Sequence, residues 1–186
     1  DVAFTLINLA GATEQLGDYA RARALYEESV ATFEAIRDKW GMANALNNLG
    51  LMACRQRDPA SARSLHERAL ALQRELSDGR GVARTLHNLA DVAMQQGESA
   101  WAKSLCTESL AIRRELGDRS GIAATLERLA RVAATAGDPE RAARLLGAAE
   151  ALRAAIGAPL PASGRADYDH TVAVVQAGFG DEGFAD

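Results

Sequence analysis

Lysine is scarce in this chain: 186 residues include only Lys39 and Lys103, and neither follows a glycine in a phosphate-loop motif. Histidine is nearly as rare. His66, His87 and His170 stand far apart and have no metal-ligand spacing. No GxSxG elbow is present to present a nucleophilic serine, and paired carboxylates such as Glu27–Glu28 read as the solvated face of a helix. These absences lead us to expect no catalytic residue, no metal ligand, no cofactor and no enzyme activity. The two cysteines, Cys54 and Cys106, form no CxxC pair and read as reduced packing residues. No run approaches the roughly 18 uncharged apolar residues that a membrane helix needs. The sequence enters repeat-like residues directly at Asp1, with neither signal peptide nor initiator methionine. The expectation is a fragment or processed chain in a cytoplasmic setting, away from membranes. Basic charge is lacking as well: a net charge of −4 disfavours direct binding to nucleic acid.

What is present is a repeat. Apolar residues make up 48% of the chain and aromatics only 5%, a mix suited to helices packed closely through small side chains. Leu9, Leu49, Leu89 and Leu129 recur every 40 residues. The same interval separates Leu6, Leu46, Leu86 and Leu126, and again Ala3, Ala43, Ala83 and Ala123. Two later columns, Ala22 to Ala142 and Leu25 to Leu145, keep the register. Four repeats therefore tile 1–40, 41–80, 81–120 and 121–160 without a gap, and a terminal helix with a truncated tail occupies 161–186.

Each repeat carries two helical stripes. Ala43, Leu46, Leu49, Gly50 and Ala53 share one face, and Ala62, Leu65, Ala69, Leu72 and Leu76 share another. Gly17, Gly97 and Gly137 are placed to close a helix in the left-handed conformation, and Asp18, Asp58 and Asp138 to cap the next one. Arg57 breaks the glycine column, which predicts strain there. Asp38, Asp78 and Asp118 supply the cap between repeats. Helices are expected over about 2–16, 19–36, 39–56, 59–76, 79–96, 99–116, 119–136, 139–156 and 164–178. The chain is all-α.

These columns resemble the tetratricopeptide repeat. Leu49-Gly50, Leu89-Ala90, the turn Gly137-Asp138 and Ala142 sit where that family places its signature residues. The pattern departs from the family at Leu6, Leu46, Leu86 and Leu126, where a large aromatic is usual. The longer repeat resembles those of kinesin light chains and many bacterial regulators. The resemblance implies a right-handed superhelix of four helical hairpins plus a capping helix, with a protein or extended peptide held in its concave groove. A second resemblance covers about residues 139–184: the run from Arg141 to Arg153, then Arg165 and Tyr168, is similar to the C-terminal ends of large bacterial signalling ATPases and transcriptional regulators. It implies the sensor arm of a larger protein. The alternative is a free-standing scaffold or oligomerisation domain with a self-filled groove.

The groove face follows from helix geometry. Repeat positions 3, 6, 9, 10 and 13 span the buried side of each first helix, and positions 5 and 12 (Thr85, Val92) should meet the next repeat. Positions 4, 7, 8, 11 and 15 point away. They supply the candidate partner-binding residues Asn8, Asn44, Asn47, Asn48, Arg55, Arg84, His87, Asn88, Arg128 and Arg131. Asn8, Asn48 and Asn88 share one column, and a carboxamide can donate to and accept from a peptide unit at once. The competing reading is that these asparagines bond one another or the neighbouring backbone. Arginines outnumber the acids Asp91 and Glu127 on this face, which suggests an acidic or carboxylate-bearing partner. Trp101 reads either as a partner anchor or as packing between helices, and Trp40 as local packing. Phe4 and Ile7 are apolar on the same face, so that end should be covered by a preceding repeat or by another copy in a homo-oligomer. Residues Glu182–Asp186, Phe184 among them, should be frayed.

Overall fold

The computed structural model describes residues 2–179; the expected fraying around Phe184 lies outside them. Among the described residues there are helices and no strand: α1 (Val2–Gln15), α2 (Tyr19–Ala35), α3 (Lys39–Arg55), α4 (Pro59–Glu75), α5 (Gly79–Gln95), α6 (Ser99–Glu115), α7 (Arg119–Thr135), α8 (Pro139–Ile156) and α9 (Ala162–Phe179). Every expected helix is found within two residues of its expected ends. The chain packs as two compact units, Asp1–Gln96 with α1 to α5 and Gly97–Asp186 with α6 to α9. That division falls inside the third repeat, between its two helices.

Local chemistry sets the helix ends. Asp18, Asp38, Asp58, Asp78, Asp118 and Asp138 each accept a hydrogen bond from the backbone N–H three residues on, at 2.9–3.1 Å. Glu98 takes the same place before α6 and makes no side-chain capping bond. The residue before each cap closes the preceding helix with positive φ. Gly17, Gly97, Gly117 and Gly137 do so without steric cost, as does Gly157 at the end of α8, and Arg57 does so at φ 61°, as its departure from the glycine column predicted. Arg37 and Ser77 adopt the same conformation, which the sequence did not announce. The turn thus recurs every 20 residues, once per helix rather than once per hairpin.

Hairpins pack through small residues. In the first unit Ala10 and Ala22 meet Tyr26, Leu49 and Met52, and Ala53 and Ala62 meet Val92. In the second, Ala130, Ala133 and Ala142 pack against Leu146 and Val175. A further column runs at 33, 73 and 113, where the second helix reaches under the first turn of the next one. A Cβ on Gly41 would collide with the Phe33 ring, and one on Gly121 with the Arg113 guanidinium. Glycine follows the aspartate cap at those positions because the close approach leaves no room for a side chain.

Three residues depart from the expected pattern, all in the first repeat. Leu9 belongs to the core column yet is 44% exposed, and it forms an outward stripe with Val2 on α1 and Leu16 just beyond its end. At the equivalent positions in the second repeat Leu49 is buried and Met42 half-buried, because the preceding second helix, α2, packs on α3. Phe4 and Ile7, expected on the free face, instead pack inward. The Phe4 ring meets Phe33 edge-on at 4.8 Å and lies 5.8 Å from Trp40, and Ile7 joins the same apolar clusters. Their positions face the following first helix, so the expected uncovered end is carried by Val2, Leu9 and Leu16 rather than by Phe4 and Ile7.

Candidate functional site

In the first unit α3 contacts both α1 and α5, so the first helices lie side by side. Position 7 turns out to lie in the seam between them. Asn47 is 2% exposed, and its carboxamide oxygen accepts from Thr85 Oγ1 at 3.2 Å and from Asn88 Nδ2 at 3.1 Å. Thr85 therefore meets the preceding repeat, where the sequence reading had it meeting the next. A second bond stands one turn earlier: Arg84 donates to Asn44 Oδ1 at 2.7 Å, while Asn44 Nδ2 donates to the Trp40 carbonyl at 3.0 Å. Where α1 and α3 use apolar Phe4 and Ile7, α3 and α5 use a polar zip.

The candidates consequently separate. Asn47 is not a surface residue. Asn88 is buried and commits an N–H to Asn47, and Asn44 is engaged through both ends of its amide. His87 is half-buried beside them. Asn8 is exposed and Asn48 half-buried, and neither makes a side-chain hydrogen bond among the described residues. Arg84 is exposed and held by Asn44. Arg55 pairs at 2.6 Å with the Glu14 carboxylate, which is itself buried. Tyr26 stands beside that pair, and desolvation, then the Glu14 charge, raises its phenol pKa.

In the second unit the corresponding face of α7 is met from within the chain. Helix α9 packs on α7 and α8 through Tyr168, Val172, Val175 and Phe179. Arg131 donates to Asp167 at 2.9 Å, and Glu127 is gripped by both Nε and Nη2 of Arg153, at 2.5 and 3.0 Å. Arg128 is half-buried on the same helix. The excess of arginine counted on this face is thus largely met by carboxylates: Glu14 for Arg55 and Asp167 for Arg131. Sequence reasoning missed Glu14 and Arg153. The clue for Arg153 was its column, shared with Phe33, Gln73 and Arg113.

No group of His, Cys, Asp and Glu among the described residues could hold a metal ion, and no helix there is long and apolar enough to cross a membrane.

Comparison with known proteins agrees with this architecture. Solved structures with the same fold include BtubC (BKLC) from P. vanneervenii, with a TM-score of 0.75 and 23% identity over 86% of this chain. This chain spans 66% of that protein's length. Two structures of a putative kinesin light chain from Podosopora anserina with nearly identical TPR-like repeats give TM-scores of 0.74 and 0.69. Their identities are 22% and 20%, and they cover 96% and 94% of this chain against 86% and 93% of their own. No curated protein matches in sequence. The model of the tetratricopeptide repeat family matches residues 1–75, 41–104 and 81–155. Repeats of this kind generally mediate protein–protein interaction and typically serve as non-catalytic scaffolds. With its helical hairpins, its 40-residue columns and these overlapping matches, the chain belongs to the tetratricopeptide repeat family.

Proposed function

We propose that the chain is a partner-binding module whose first unit takes an extended peptide or protein segment along α1, α3 and α5. The observation that carries this reading is the difference among the asparagines. Asn44, Asn47 and Asn88 are engaged in the zip between α3 and α5, whereas Asn8 and Asn48, 40 residues apart in one column, have unspent carboxamides. An amide can donate to and accept from one peptide unit. Neighbouring helix axes lie roughly 10 Å apart, and an extended chain advances about 3.3 Å per residue, so successive column positions would meet every third peptide bond. Arg84, exposed and held by the neutral amide of Asn44, flanks these amides and favours a carboxylate-bearing partner.

Binding to an array of extended peptides, acidic ones included, tests this directly. Asn48→Ala and Asn8→Ala should each weaken the best peptide by about 1–3 kcal/mol with an unchanged melting temperature. Asn47→Ala should instead lower the melting temperature, because it leaves Thr85 and Asn88 without their acceptor. Unchanged affinity in both Asn8 and Asn48 variants would refute the clamp.

For the second unit a self-filled face is favoured, since Arg131 is already paired with Asp167 of α9. The same reading places the chain as the sensor arm of a larger cytoplasmic bacterial regulator, on the strength of the Arg141–Arg153 run and the α9 segment that follows it. A gene with no ATPase module upstream of the repeats would remove that context and leave a scaffold.

A further inference from the structure

A cavity of about 490 Å³ opens in the second unit between the C-terminal half of α8, the linker that follows it and the start of α9. It arises where the repeat pattern stops. After Gly157 the chain turns through Pro159 and Pro161 into α9. The Arg153 side chain turns back to Glu127. The volume falls in the range of small-molecule sites.

Its lining divides into three chemistries. One wall is the fork of Arg153 on Glu127, a pair 10% and 16% exposed whose charges cancel. A second is apolar, built from Ala154, Ala158, Pro159 and Leu160. The third is the rim, made of the exposed side chains of Glu150 and Arg165 with Tyr168, none of which makes a side-chain hydrogen bond among the described residues. Tyr168 is half-buried, and desolvation followed by the charges of Glu150 and Glu127 raises its pKa, so it is a neutral hydroxyl donor at neutral pH. A buried, fully paired salt bridge contributes little net stability. Here it presents a neutral, fixed wall and leaves one anion, one cation and one hydroxyl unspent around an apolar patch.

We propose that this cavity binds a small zwitterion, an α-amino acid with an apolar side chain, its ammonium on Glu150, its carboxylate on Arg165 and Tyr168, and its hydrocarbon on the Leu160 wall. Neither ion alone satisfies the lining: an anion would leave Glu150 unmatched, and a cation would leave Arg165. The site is separate from the peptide-binding face proposed for the first unit, and either can fail without the other.

Calorimetric titration of the whole chain with L-leucine, 4-methylpentanoate and 3-methylbutylamine tests the proposal, the last two lacking the ammonium and the carboxylate respectively. Leucine should bind at least tenfold more tightly than either. Glu150→Gln and Arg165→Gln should each cost about tenfold in leucine affinity with an unchanged melting temperature, and Arg165→Gln should abolish the advantage over the amine. A peptide ending in leucine and one beginning with it should bind no better than the single-charge analogues, because each presents one charge beside the side chain. A peptide binding as tightly as leucine overturns the free amino acid as ligand. The zwitterion site is overturned if none of the twenty amino acids gives saturable binding at millimolar concentration, or if the analogues match leucine.

Discussion

The two units are built from one repeat and solve the same positions with different chemistry. At the column of Tyr26, His66, Cys106 and Leu146 the first unit buries a phenol and an imidazole, the second a thiol and a leucine. Two helical turns later, Phe33 and Gln73 in the first unit are answered by Arg113 and Arg153 in the second. Helix closure differs as well: three non-glycine residues hold positive φ in the first unit and none among the described residues of the second. The backbone plan tolerates these exchanges because each repeat contacts its neighbours and little else, so a change of chemistry is absorbed locally. The first unit leans on apolar volume and hydrogen-bonded amides, the second on alanine packing and buried ion pairs.

The largest expected effect tests the column at 33. Phe33→Ala should cost about 3–5 kcal/mol, since it empties the space under Gly41. Arg153→Ala in the second unit should cost less, about 1–3 kcal/mol, chiefly by leaving Glu127, which water partly reaches, without its partner. Urea denaturation of the two variants, with hydrogen exchange to locate the loss, measures both. Equal losses would mean that the two units do not differ in how this column is used.

Acid should act on the first unit through His66, whose ring nitrogens are buried without a hydrogen-bond partner among the described residues. Burial lowers its pKa from 6.5 to about 4. The unfolded chain therefore binds the proton first. This contribution is fully present above about pH 6.5 and is lost as the pH falls towards 4, by roughly 3 kcal/mol at most. The Cys106 thiol in the same column is pushed up to about 12 and stays neutral throughout. Placing the second unit's residue in the first, as His66→Leu, should flatten the urea midpoint between pH 7 and 4.5 relative to the parent. A parallel pH dependence in both proteins would absolve His66.

The smallest effect concerns the helix ends. Arg37→Gly, Arg57→Gly and Ser77→Gly should each stabilise by about 0.5–1 kcal/mol, and Gly117→Ala or Gly137→Ala should destabilise by slightly more. Thermal melts resolve differences of this size. A loss of stability in all three glycine variants would show that their side chains contribute more than the left-handed backbone costs.

The helices and their register were legible in the sequence because burial repeats every 40 residues and each start from α2 to α8 carries an acid in capping position. Less of the candidate site was readable. A helical wheel places position 7 on the free face, but the close approach of α3 and α5 turns Asn47 into their seam, where it engages Thr85 and Asn88. Spacing along one helix does not contain the angle at which the next one crosses it. The same limit hid the covering of α7 by α9, and the pairing of Glu14 with Arg55 across 41 residues. Arg37 and Ser77 were invisible for another reason: a left-handed turn prefers glycine without requiring it.

The reach of one helix under the next sets an order of assembly during synthesis. Phe33 leaves the ribosome before the Gly41 turn that covers it, and Gln73 and Arg113 likewise precede Gly81 and Gly121 by eight residues. At ordinary translation rates that is a wait of about a second. The first three hairpins are each sealed by what comes after them. Arg153 breaks the sequence by grasping Glu127, which emerged 26 residues earlier. At this position the fourth hairpin closes backwards on chain already made, and its cover waits for α9, the last helix to emerge.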